Sequence, residues 1–105
     1  MISDTPKAPY YCVIFTSERT DVEEGYASMS DEMVKLASLQ KGFLGLESAR
    51  NEIGITVSYW ENLEAIKSWK FNTEHSLARE KGKTTWYKKF KVRICKVERD
   101  YGFEI

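Results

Sequence analysis

The run Tyr10-Tyr11-Cys12-Val13-Ile14-Phe15-Thr16-Ser17 constrains the fold more than any other stretch of the chain. It is rich in aromatic and β-branched residues and has no polar alternation until its end. A strand of that kind needs apolar cover on both faces. With 105 residues the chain makes one domain of ordinary size. Helices laid on one face of its sheet would leave the other face needing a cover of its own.

Downstream, Thr20-Asp21-Val22-Glu23 has the spacing of a capping box, with Thr20 as N-cap and Glu23 reaching back. Tyr26, Met29, Met33, Leu36, Ala37 and Gln40 recur at helical spacing, and Gly42 stands where a helix C-terminal glycine belongs. This predicts a helix of about five turns. Residues 42–50 read as a second strand. Asn51-Glu52 with Gly54 gives a hairpin turn, and Ile55-Thr56-Val57-Ser58-Tyr59-Trp60 alternates as a third strand. Asn62 caps a second helix in which Leu63, Ile66 and Trp69 share a face. A break near Phe71-Asn72-Thr73 is expected to separate it from a short helix carrying His75, Leu77 and Ala78 and ending at Gly82. Trp86 to Glu98 is the last strand, with Trp86, Phe90, Val92 and Ile94 on one face and Lys89, Lys91, Arg93 and Arg99 marking the other.

The order is βαββαβ, which gives an α+β, ferredoxin-like domain: a four-stranded antiparallel sheet with both helices on one face. Strands one and three carry large apolar residues at both parities. The simplest cover for the free face is the sheet of a second copy, so a homodimer is expected. Residues 1–9, with Pro6 and Pro9, read as a flexible leader, and 10–105 as the single domain.

Composition narrows the function. Sixteen basic and sixteen acidic side chains cancel, so no overall field draws the protein to nucleic acid or to an anionic membrane. The basic run Lys88, Lys89, Lys91, Arg93, Lys96 and Arg99 alternates with Val92, Ile94 and Val97, as on a strand whose lysines deter edge-to-edge pairing. No apolar run is long enough to cross a bilayer. Met1 to Pro9 is polar, contains Asp4 and is no secretory signal, which predicts a cytoplasmic protein. One histidine and two distant cysteines offer no metal-ligand spacing. Cys12 and Cys95 read as small buried hydrophobes, with a bridge between neighbouring strands as the minor reading. Gly82-Lys83-Thr84 ends like a phosphate-binding loop, but Leu77 stands where the first glycine is required.

Several separated segments resemble one family. They are Tyr-x-x-Val-Ile-Phe at the first strand, Gln40-x-Gly42-Phe43-Leu44-Gly45 at the helix-to-strand junction, and Ser58-Tyr59-Trp60-Glu61-Asn62-Leu63-Glu64-Ala65-Ile66-x-x-Trp69. His75-x-x-Ala78, Gly82 and Trp86-Tyr87 follow in order. Together they are similar to the antibiotic-biosynthesis-monooxygenase-like family of the dimeric α+β barrel superfamily, over nearly everything from Tyr10 to Tyr101. The resemblance implies a cofactor-independent monooxygenase of a small aromatic or polycyclic, phenol- or quinol-like substrate. In such enzymes the protein binds the rings, stabilises the anion and excludes water. The alternative is a non-catalytic small-molecule-binding or stress-related protein on the same fold. Haem-degrading members of the superfamily pair a Trp with a His ten residues on. Trp69 matches, but position 79 is Arg79, so the axial imidazole is missing and no cofactor is expected.

Within that frame His75 is the candidate catalytic base, since an imidazole titrates near neutrality. The plainer reading is an exposed or hydrogen-bonded helix residue. Trp69 is a candidate wall of an aromatic pocket or simply core. Tyr59 and Tyr87 are candidate donors to a phenolate, or else buried rings with their hydroxyls at the rim. Their strand parity is opposite to that of Trp60 and Trp86, which predicts that the two pairs fill different layers.

Overall fold

A computed structural model of the chain describes the backbone of residues 1–79 and 85–105 and the side chains of 1–73 and 85–105. The elements run β1 (Tyr10–Arg19), α1 (Tyr26–Ser38), β2 (Phe43–Arg50), β3 (Gly54–Trp60), α2 (Leu63–Arg79) and β4 (Tyr87–Val97). They form a four-stranded sheet in the order β2-β3-β1-β4, with every neighbouring pair antiparallel. This is the expected ferredoxin-like α+β fold.

Register decides which side chains share a layer, because directly opposed residues on antiparallel strands project to the same side. Tyr11 faces Trp60, Phe15 faces Thr56 and Val92, and Ser17 faces Phe90. The helices cover this side. Trp60, with no exposed surface, stacks on Trp69 of α2 at 5.9 Å between ring centroids, and Phe43 meets it edge-on at 5.4 Å. The buried indole N–H of Trp60 donates to Ser58 Oγ at 2.8 Å. At the other end Met29 of α1 packs on Trp86, with Tyr26, Met33 and Tyr87 against them.

The opposite side carries Tyr10, Cys12 and Ile14 on β1 beside Tyr59, Val57 and Ile55 on β3. Part of this layer is covered by the chain's own beginning. The Ser3 backbone N–H donates to a Glu47 carboxylate oxygen at 2.9 Å, and Ser3 Oγ donates to the Leu46 carbonyl at 3.2 Å. Tyr59 donates its hydroxyl to the other Glu47 oxygen at 2.7 Å. Tyr10 donates to the Asp100 carboxylate and accepts from Thr5 at 3.0 Å. Ile55 stays exposed.

Four local expectations are corrected. Helix α1 begins at Tyr26, with Gly25 as N-cap at φ 79, a conformation that costs glycine little. The Thr20 hydroxyl instead accepts from the Val22 N–H at 3.2 Å and donates to the Thr85 carbonyl at 2.6 Å, so there is no capping box. The helix has 13 residues and ends on Leu39 as C-cap, short of five turns, with Gly42 three residues beyond. Helix α2 runs unbroken through Phe71-Asn72-Thr73, where Thr73 Oγ1 donates to the Trp69 carbonyl at 2.8 Å and Asn72 donates to Gln40 at 3.1 Å. Leu63 is 53% exposed rather than part of the core face. The Asn62 cap is present, its Oδ1 accepting from the Ala65 N–H at 2.8 Å. The expected helix end at Gly82 and the Gly82-Lys83-Thr84 segment lie outside the described residues.

Candidate ligand-binding site

The functional chemistry among the described residues gathers on the helix side of the sheet, where the end of β1 meets the start of β4. The register of β1 and β4 shifts by one residue between Glu18 and Arg19. That irregularity brings Arg19 opposite Tyr87, and Tyr87 onto the side that carries Phe15, Ser17 and Phe90. The expectation that Tyr87 occupies the layer away from Trp60 and Trp86 is therefore corrected. Tyr59 alone of the four lies on the outer side.

Phe15 meets Tyr87 edge-on at 5.5 Å and Phe90 at 5.3 Å. Tyr26 of α1 closes over them, 6.0 Å from Tyr87 and 6.5 Å from Trp86. Trp86 is oriented by its indole N–H, which donates to the Glu24 carbonyl at 2.8 Å. Tyr26 and Tyr87 share a hydrogen bond between hydroxyls, and burial, more than that bond, pushes the Tyr87 phenol well above its ordinary range. Tyr87 is consequently an O–H donor at neutral pH.

Two guanidinium groups bear on this hydroxyl. Both Arg50 and Arg19 act on Tyr87 through their charge, partly offsetting the effect of burial. Arg19 lies over the Tyr26 ring, 3.3 Å from its centroid, a cation–π contact. It donates to the Val22 carbonyl at 2.7 Å and the Trp86 carbonyl at 3.4 Å, and pairs with Glu23 at 3.7 Å. Arg50, at the end of β2, reaches back across Gly54 to donate to the buried Ser17 hydroxyl. Gly54 permits this, because a side-chain carbon there would sit 2.6 Å from Arg50 Nε.

Of the residues singled out from sequence, Tyr87 belongs to this cluster. Trp69 lies on the same side of the sheet but stacks on Trp60 as part of the core. Tyr59 points to the outer side, where burial first and Glu47 second push its phenol far up. His75 falls within α2, and its side chain lies outside the described residues. Sequence reading missed Arg19, Arg50, Ser17 and Tyr26 as site residues. Only the arginines at strand ends carried a signal, and it was indistinguishable from ordinary surface charge. Among the described residues no group of three or more His, Cys, Asp or Glu could hold a metal ion. A separate groove between Met1, Ile2 and Leu46–Ser48 opens to solvent on β2, the sheet edge remote from β4. No helix among the described residues is long and apolar enough to cross a membrane.

No family model matches the chain. The uncharacterized Bacillus subtilis protein YqjZ is 47% identical over 105 residues, covering 98% of this chain and 92% of its own length. Among solved structures, a variant of SnoaB from Streptomyces nogalater, a cofactor-independent oxygenase, superposes with a TM-score of 0.71 at 8% identity, over 89% of this chain and 97% of its own. A candidate antibiotic biosynthesis monooxygenase from Chloroflexus aurantiacus gives 0.57 at 14% identity, over 91% and 98%. PA3566 from Pseudomonas aeruginosa gives 0.66 at 17% identity, over 91% and 99%. At these identities the likeness is one of fold.

Proposed function

The chain belongs to the family of the Bacillus subtilis protein YqjZ on an antibiotic-biosynthesis-monooxygenase-like fold, and from that premise we propose that it is a cofactor-independent monooxygenase of a small aromatic or polycyclic phenol. The observation that carries this reading is the meeting of two guanidinium groups and a protonated tyrosine hydroxyl with the rings of Phe15, Phe90, Tyr26 and Trp86. Apolar rings suit a flat substrate, and fixed cations favour its anion over the neutral phenol.

The chemistry needs nothing beyond substrate and dioxygen. The substrate loses a proton, and its electron-rich carbon forms a bond to one oxygen atom. The O–O bond then breaks, the second oxygen atom leaves as water, and the ring carbon is left as a carbonyl. Arg19 and Arg50 hold the anion, Tyr87 donates to its oxygen, and the aromatic walls exclude water. His75 on α2 is the proposed proton acceptor, and Trp69 and Tyr59 remain proposed contacts only through the resemblance. The active unit is proposed to be a homodimer built on the outer sheet face.

Oxygen uptake with a panel of hydroquinones and anthrones tests the reading. Consumption of one dioxygen per product is expected, with Tyr87→Phe slowing it. Absence of uptake across the panel, in folded protein, overturns it. Tyr87, its phenol raised by burial, stays protonated at neutral pH and offers a ligand a donor rather than a base, which favours one second reading: a binder of the same aromatic anions without turnover. Saturable binding without oxygen uptake would select it.

A further inference from the structure

Cys12 on β1 and Cys95 on β4 are directly opposed across the antiparallel ladder, and both are free thiols. Directly opposed residues on such strands have Cα atoms about 4.5–5.5 Å apart, inside the span of about 4.4–6.8 Å that a disulfide bridges. Their side chains project to the same, outer side of the sheet. The two thiols are within hydrogen-bonding distance of each other, and a backbone hydrogen bond from Cys95 also reaches the Cys12 sulfur. Cys12 is buried and Cys95 only half-buried. In the single chain one sulfur is thus reachable from solvent, and the other waits beside it. A partner sheet on this outer face would cover both, so the unpaired subunit is the form that peroxide reaches.

We propose that Cys12 and Cys95 form a reversible dithiol–disulfide site, oxidised by hydrogen peroxide or an organic hydroperoxide to a bridge stitching β1 to β4. The assignment is independent of the oxygenase reading. In the first step the more accessible Cys95 sulfur attacks a peroxide oxygen. The O–O bond breaks, the remaining oxygen leaves as water or alcohol with the thiol proton, and Cys95 becomes a sulfenic acid. In the second step the Cys12 sulfur attacks the Cys95 sulfur. The S–O bond breaks, and the departing oxygen leaves as water with the Cys12 proton. Two thiols and one peroxide give one disulfide and, for hydrogen peroxide, two waters. Burial, followed by the charge of Cys95, raises the Cys12 thiol above its ordinary range, which disfavours it as the first attacker. Its place directly across from Cys95 makes it the partner in the second step.

The test is intact-mass analysis and thiol counting on the whole chain treated with stoichiometric hydrogen peroxide under native conditions. The expected result is loss of both reactive thiols together and a monomer mass lower by two hydrogens, both restored by dithiothreitol. In Cys12→Ser, Cys95 should accumulate as a sulfenic acid trapped by dimedone. In Cys95→Ser, Cys12 should react at least tenfold more slowly than Cys95 does in the native chain. Independent oxidation of one cysteine to sulfinic acid while the other stays titratable would overturn the proposal. So would bridges solely between separate chains. The native-chain measurement decides the matter even if a variant fails to fold.

Discussion

Trp60 is wholly enclosed, stacked on Trp69 and edged by Phe43, with its N–H satisfied by Ser58. Trp60→Ala removes a large ring from a packed site and leaves Ser58 short of a donor, so a loss of about 3–5 kcal/mol in denaturant unfolding is expected. The residues of the candidate site should behave differently, because they are proposed to bear on a ligand more than on the core. Arg50→Gln removes a cation while keeping a donor toward Ser17. It should weaken binding of a phenolate about tenfold, the scale of one charge-assisted hydrogen bond, and leave the neutral methyl ether of the same ligand unaffected. Equal weakening of both ligands in calorimetric titration would show that Arg50 acts through shape alone. Gly54→Ala should mimic the charge loss in part, since the new methyl group occupies the path of the guanidinium.

At the scale of elements, what could be read from sequence was what is local. The Asn62 cap was legible because donor and acceptor lie three residues apart, and Asn62→Ala should lower stability by about 1 kcal/mol in thermal or denaturant unfolding. The order of strands and helices was legible from periodicity. The Thr20 capping box was not realised because the helix begins only at Tyr26; the Thr20 hydroxyl is held in a local turn by the Val22 N–H and bonds the distant Thr85 carbonyl. The expected break in α2 failed for a related reason: Thr73 and Asn72 find hydrogen-bond partners without leaving the helix. The site was obscured by the register shift at Glu18 and Arg19. A residue-by-residue alternation cannot show an irregularity that exists only in the pairing of β1 with β4. Tyr87 was consequently named from sequence but placed in the wrong layer, and the cluster of Arg19, Arg50 and Tyr26 around it was not visible.

The molecule as a whole has an outer sheet face that is apolar at its centre, with Ile14 and Val57 half-buried and Ile55 exposed, beside the exposed charges of Lys91 and Arg93 on β4. Sedimentation at micromolar concentration should give a dimer. Ile55→Lys places a charge on a position already exposed in the single chain, so it should yield a folded monomer. A native-like dimer in that variant would move the interface elsewhere. Acid should act on the same face. The Ser3 backbone N–H, and after it the Tyr59 hydroxyl, hold the Glu47 carboxyl below its ordinary value of 4.5. A carboxyl depressed by folding contributes stability above its unfolded pKa and loses it as pH falls through the folded one. Protection of the Ser3 amide from hydrogen exchange, taken relative to its intrinsic rate at each pH, should therefore fall below about pH 4.5, whereas Glu47→Gln should show the lower protection already at neutral pH.

Because Ser3 is pinned to Glu47 and Leu46, any purification handle fused ahead of Met1 would be fed directly onto β2, next to the groove at Leu46–Ser48. Handles placed after Ile105 avoid that seat, so oligomer and oxidation assays are best built on them.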